Sequence, residues 1–312
     1  HDDLLTEDAL FECASVIEAY RKDNLELRML YSDEDKCNSN GTSFYEVNRK
    51  PEFNLDLILS NNYICHLLVM QRELMQELEF RSSVDGAQDH DIILRAVDRM
   101  MGEDRHAARR AKLPVAHIPK VLYHWRCYEG STSENPESKR YAYEAGKRAV
   151  EDFLKAREYQ ADVVHTCHLG FFRVNYQPDL LSNRPDVAVV GGKLIDRHNR
   201  VVGGIYNENR EPLYLGLHRE YSGYMHRASC QQEAYAVDVR CMICSGEAQT
   251  VWEELTGLPY AVQSHTGYFL YQDVLKKDAD YEELSFKFCE ELRRRGKRIV
   301  WDPEMVQRVD GR

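Results

Sequence analysis

The chain has 312 residues, too many for one small domain and about right for two. Hydrophobic residues make up 43% and charged residues 30%, the balance of an ordinary globular protein. Lys plus Arg number 41 and Asp plus Glu 52, a formal net charge of −11 that argues against a nucleic-acid binder, whose surface must replace phosphate counterions with basic side chains.

No apolar run approaches the ~20 residues needed to span a bilayer. The densest basic cluster is Arg293–Arg295 with Lys297 and Arg298; it reads as a solvated helix end, favourable against the C-terminal dipole. His1 opens directly into an acidic stretch, as a piece cut from a longer protein would. Nine scattered cysteines, odd in number and mostly inside apolar segments, predict buried, reduced thiols in a cytoplasmic protein.

In chain order, Thr6 can cap a first helix whose apolar positions Ala9, Leu10, Cys13, Val16, Ile17 and Tyr20 fall at helical spacing. A strand over Leu27–Tyr31 delivers Ser32–Lys36 into a loop, and Asn40-Gly41 is a turn signal. Leu67–Met70 reads as a strand and Arg72–Glu79 as a short helix. Asp85-Gly86 breaks the chain before a second amphipathic helix bearing Ile92, Ile93, Ala96, Val97 and Met100 on one face. Val115–Trp125 is a strand. A boundary is expected between Glu129 and Asn135, followed by a long polar helix over Pro136–Glu158. Val187–Ile195 and Val201–Ile205 flank a polar stretch suited to a hairpin. Ala236–Ile243 reads as a strand, Glu247–Leu255 and Glu282–Arg295 as helices, and Ile299–Trp301 as a last strand. The two halves share a rough order of elements, the signature of a duplicated module.

Carboxylates cluster after predicted strands and at helix starts, where α/β folds place their sites. The clusters are Asp2-Asp3, Asp33 with Asp35, and Asp85, Asp89 and Asp91. Hard cations take one or two carboxylates plus phosphate oxygens, so this pattern suits metal-assisted handling of a diphosphate. Solvated acidic loops and an Asp91–Arg95 pair on a helix surface are the alternative. Cys241 and Cys244, with His226 and Cys230, lack the paired spacing of a zinc ribbon and read as core thiols. His165–His168 reads as a polar turn. Gly191-Gly192-Lys193 lacks the other glycines of a phosphate-binding fingerprint, and no GxSxG elbow supports serine catalysis.

Six pieces in order carry a resemblance. They are His1–Thr6; Tyr31–Lys36; Lys50–Phe53 with Ser60–Ile64; Gly86–Asp91; Leu122–Arg126; and Gly130–Thr132. Together they resemble the C-terminal half of an inverting family 2 glycosyltransferase of the GT-A fold. Residues 186–303 resemble the same half of a second such domain, less faithfully. The implied fold is α/β, a GT-A-like, Rossmann-related mixed sheet flanked by helices. Two partial modules are expected, 1–130 and 178–312, joined by a helical connector over 131–177.

The resemblance implies a divalent metal, Mg²⁺ or Mn²⁺, bridging the diphosphate of a nucleotide-sugar donor. It makes Asp2 and His124 the metal side, and Asp33, Asp35 and Arg126 donor-side contacts. Asp89 matches the general base that deprotonates the acceptor hydroxyl. The acceptor would be a growing surface glycan, free or lipid-linked, and the enzyme cytoplasmic, compatible with a peripheral place on the inner face of the cell membrane. Departures are Gln88 where the family has Glu, Tyr281 at the base position of the second module, and no late His after Trp301-Asp302-Pro303. The nucleotide-binding half is missing from both modules, so the isolated chain is expected to be inactive. Two alternatives stay open: a non-catalytic glycan-binding or scaffolding remnant, in which the 19 tyrosines serve sugar stacking, and a phosphohydrolase using Asp33 and Asp35.

Overall fold

A computed structural model of the chain describes residues 2–102, 113–127, 140–260 and 280–309. The expected boundary at 129–135 and the Gly130–Thr132 motif lie outside them. The fold is α/β, with mixed sheets flanked by helices.

The first sheet is built from β1 (Leu4–Leu5), β2 (Met29–Cys37), β3 (Phe44–Asn48), β4 (Leu68–Met70) and β5 (Val115–Arg126). Its order is β1-β5-β2-β3, with β4 also on β2. β5 runs parallel to β2, while β1, β3 and β4 are antiparallel to their neighbours. Between these strands come α1 (Ala9–Lys22), α2 (Leu55–Ser60), α3 (Arg72–Leu78) and α4 (Gln88–Met101). Thr6 does not cap α1: its hydroxyl donates to Asp8 Oδ1 at 2.7 Å, and Asp8 occupies the cap position.

The largest departure from the sequence reading is at Ser32–Lys36. These residues lie inside β2, not in a loop. An acidic run has low strand propensity, but β2 is hydrogen-bonded on both edges, and its buried carboxylates find partners on β5 (His117, His124) and on the segments beside the sheet (Arg49, Lys50, His66).

A second set follows α5 (Arg140–Ala156), the hairpin of β6 (Ala161–His165) and β7 (Phe172–Tyr176), and α6 (Leu180–Asn183). It comprises β8 (Val187–Ile195), β9 (Val201–Gly203), β10 (Ile205–Tyr206), β11 (Gln232–Glu233), β12 (Ala236–Val237), β13 (Met242–Cys244), α7 (Gly246–Thr256), α8 (Tyr281–Arg294) and β14 (Arg298–Arg308). The single strand expected over 236–243 is two strands, because Asp238 accepts from the Arg240 amide at 3.0 Å and turns the chain. β14 runs well past Trp301, with a register shift between Trp301 and Val306.

The second five-stranded sheet has the order β11-β14-β8-β13, with β9 also on β8. Its pairing repeats the first. Tyr31 of β2 pairs with Leu68 of β4 and His117 of β5; Gly191 of β8 pairs with Met242 of β13 and Trp301 of β14. Two residues further on, Asp33 faces Val121 and Lys193 faces Val306. Two beyond that, Asp35 faces His124 and Ile195 faces Arg308.

Both parts share one core. Ile58, Ile93, Val150 and Phe153 pack in the same cluster as Val187, Val190 and Val300. The helix of the expected connector, α5, packs one face, including Val150 and Phe153, into this core. Charged residues cross the same boundary: Arg184, wholly buried, bonds Asp56 of α2 and Asp186. Arg298, expected at a solvated helix end, is buried between Asp186 and Glu233. No helix among the described residues is long and apolar enough to cross a membrane.

Candidate functional site

The first turn of α4 is anchored so that Asp89 stays accessible. Next to it, His90 is buried with Nε2 2.8 Å from the carbonyl of Ile58, and burial lowers its pKa, so the neutral ring donates. Asp91 is also buried, held by Arg81 and by Arg95 Nε at 2.8 Å, so the Asp91–Arg95 pair is not a surface pair. Asp89 is half-buried. Its Oδ1 accepts from the His90 amide at 2.9 Å and its Oδ2 from Asn62 Nδ2 at 3.1 Å.

In front of Asp89 is a cavity of about 310 Å³ whose walls include His66, Tyr123 and Cys65. The segment carrying Cys65 and His66 is held from below by Lys50, whose buried Nζ donates to the carbonyls of Ile64 at 2.8 Å and His66 at 2.5 Å. Burial lowers the Lys50 pKa, against the pull of Glu34 at 3.6 Å. Glu34 in turn accepts from the His66 amide at 2.5 Å and from Asn48 Nδ2 at 3.0 Å. The His66 ring lies 4.9 Å from that of Tyr123.

The literal Asp-x-Asp, Asp33 and Asp35, forms two carboxylate–histidine pairs along β2 and β5. Asp33 Oδ1 receives His117 Nε2 and the Lys50 amide, each at 2.9 Å, and Oδ2 receives Arg49 Nη1 at 3.2 Å. Asp35 Oδ1 lies 2.5 Å from His124 Nδ1. Both carboxylates are buried, occupied by protein groups and not turned to solvent. Burial works to raise the Asp33 pKa, but His117, the Lys50 amide and Arg49 together bring it below the ordinary value. Burial likewise opposes charge on His117, and Asp33 and Glu52 overcome it and raise its pKa.

A pH signature follows from these two shifts. The Asp33 contribution is present above the ordinary carboxylate pKa of 3.8 and is lost as pH falls through the lowered folded value. The His117 contribution is present below 6.5 and is lost as pH rises through the raised folded value. Replacing His117 by Asn is therefore expected to lower the Tm most near pH ~5 and least above neutrality. Equal losses at both pH values would contradict a charged pair.

At the same end of the sheet, β1 pairs with β5 so that Leu4 faces His124. Arg126 donates Nε to the carbonyl of Asp2 and Nη1 to that of Ser39 at 2.5 Å. The Asp2 side is exposed, whereas Asp3 is held against β5, accepting from the Arg126 amide at 2.8 Å and from the Tyr123 hydroxyl. Tyr123 thus joins this end to the Asp89 cavity.

His124 suits a metal: a histidine with one ring nitrogen on a carboxylate has the orientation that metal-bound histidines have. Among the described residues, however, no three His, Cys, Asp or Glu side chains form a metal-holding group, so the donor set here is partial. The same holds for Cys241 and Cys244, both buried; burial pushes the Cys241 thiol up to about 12.

The second sheet differs at every equivalent point. Lys193 replaces Asp33, with its amine on the carbonyls of Arg219 and Ala228 and 5.7 Å from the centre of the Trp301 ring, which stands where His117 does. Burial lowers its pKa to about 8. Ile195 and Arg308 replace Asp35 and His124. Tyr281 opens α8 with its ring 4.9 Å from the Arg240 guanidinium.

The sequence reading missed His66, Asn62 and Tyr123 as site residues, and placed Asp3 in an acidic cluster without a role of its own. Asn62 and Tyr123 lie inside the ordered motifs. Their roles come from contacts across the fold that no spacing encodes.

No known family profile matches the chain. It is similar to two longer bacterial proteins. An uncharacterized protein of Sinorhizobium fredii, y4gI, is 40% identical over 155 residues, 49% of this chain and 15% of that protein. The O-antigen biosynthesis protein RfbC of Myxococcus xanthus is 29% identical over 193 residues, 61% of this chain and 13% of that protein. The chain spans less than a sixth of the length of either relative.

Proposed function

We propose that this chain is the acceptor-side part of a metal-dependent, inverting glycosyltransferase that builds surface glycan from nucleotide-diphosphate sugars. The observation that carries the reading is Asp89: a carboxylate at a helix N-terminus, oriented by Asn62 and open to a cavity sized for a sugar. The similarity to an O-antigen biosynthesis protein supports the glycan theme.

In this reading Asp89 takes the proton of the acceptor hydroxyl as that oxygen attacks the anomeric carbon and the bond to the diphosphate breaks. Asp2 and His124 form the metal side; a divalent ion, when bound, neutralises charge on the departing diphosphate. Asp33 and Asp35 act through His117 and His124, and Arg126 fixes the backbone of Asp2. The acceptor is a growing glycan, free or lipid-linked, and the work is done in the cytoplasm at the inner face of the membrane.

Residues 1–130 and 178–312 form two related modules with 131–177 between them, a division that the repeated strand pairing supports. The second module carries Lys193, Ile195 and Arg308 where the first has Asp33, Asp35 and His124, which favours a scaffolding or glycan-binding role for it.

The test is sugar transfer by the protein that carries this chain, with the anomeric configuration of the product read by NMR. Inversion is expected. Retention, or absence of transfer from every nucleotide sugar tried, would overturn the reading.

A further inference from the structure

The cavity in front of Asp89 is polar on a small part of its wall only. Beyond Asp89, Gln88, His66 and Tyr123, the residues that line it have apolar or sulfur-bearing side chains. Leu68 comes from β4, Met75 from the middle of α3, Phe80 from the loop after it, and Ile92 from α4. Ile92 is three residues from Asp89, so the two share a helix face. Phe80 lines the cavity and is still 63% exposed, a free aromatic face. A ligand that gives a hydroxyl to Asp89 must lay the rest of its surface on these side chains. A hexose hydroxyl laid against these apolar side chains gains no partner from them, and an unpaired buried hydroxyl is costly.

Resting on the reading of Asp89 as base, we propose that the acceptor sugar held there bears a methyl group, as a 6-deoxyhexose or an N-acetylhexosamine. The methyl rests on Met75, Ile92 and Phe80 while the reacting hydroxyl meets Asp89.

Matched sugars test this on the chain as it stands, by saturation-transfer NMR and titration. The first pair is methyl β-D-fucoside against methyl β-D-galactoside, which differ by one oxygen. The second is the methyl glycoside of N-acetylglucosamine against methyl glucoside. In at least one pair the methyl-bearing sugar is expected to bind about tenfold tighter, with saturation concentrated on its methyl. Preference in the first pair assigns the 6-deoxy sugar, and in the second the acetamido sugar. Met75→Gln should remove the preference, and Phe80→Ser, at an exposed position, does the same if the first variant fails to fold. Equal binding within both pairs, no binding of any probe up to its solubility, or a preference untouched by both substitutions overturns the proposal. The two readings fail separately. A methyl preference alongside transfer unaffected by Asp89→Asn removes the base and keeps the pocket. Transfer lost in Asp89→Asn without any methyl preference does the reverse.

Discussion

Replacing Arg184 by Ala is expected to destabilise the fold by about 3–5 kcal/mol, because it leaves buried carboxylates without their counter-charge. The guanidinium is fully buried. It gives Nε and Nη2 to Asp186 at 2.9 and 3.0 Å and Nη1 to Asp56 at 3.2 Å, and it stacks 5.7 Å from the centre of the Tyr159 ring. Asp186 keeps Arg298 at 2.9 Å. Asp56 is more dependent: it is 1% exposed, its second oxygen has no hydrogen-bond partner, and burial raises its pKa. A neutral side chain at position 56 should therefore relieve part of the loss. The double variant Arg184→Ala with Asp56→Asn is expected to be more stable than Arg184→Ala alone, a coupling characteristic of contacting residues. Urea midpoints of the two single variants and the double variant decide it. Additive losses would mean that Arg184 acts through packing and not through charge.

Changing Asp89 to Asn is expected to lower the transfer rate by about 10²–10⁴-fold, the usual contribution of a positioned general base. The effect should fall on kcat and leave KM nearly unchanged, since the amide occupies the same space and can still meet Asn62. Stability should change little. The carboxylate–helix interaction lost at the start of α4 is worth about 0.3–1 kcal/mol, while His90 and Asp91 continue to anchor that turn. Asn62→Ala provides the complement: it removes the bond that orients Asp89 Oδ2 and should slow transfer less than Asp89→Asn does. Wild-type kcat in the Asp89→Asn variant would remove Asp89 from the chemistry.

Much of the fold was legible in the sequence for a plain reason. α1, α4, α7 and α8 carry apolar residues at helical spacing, and β8 is a long, strongly apolar strand, so local pattern and final environment agree. The sequence by itself also marked which residues to consider for chemistry: Asp33, Asp35, Asp89, His124 and Arg126 stand out in it as polar groups within ordered motifs.

Tertiary structure alone decided what those groups do to one another. Ser32–Lys36 reads as a loop because its local propensity is polar, and only pairing with strands distant in the chain makes it the centre of a sheet. The same pairing sets Asp33 on His117 and Asp35 on His124, partners more than 80 residues away. It also sets Lys193 beside Trp301 at the matching point of the second sheet. Register between strands far apart in sequence fixes such meetings, and a one-residue slip would reverse every side chain. A linear reading identifies the groups but carries no information about that register.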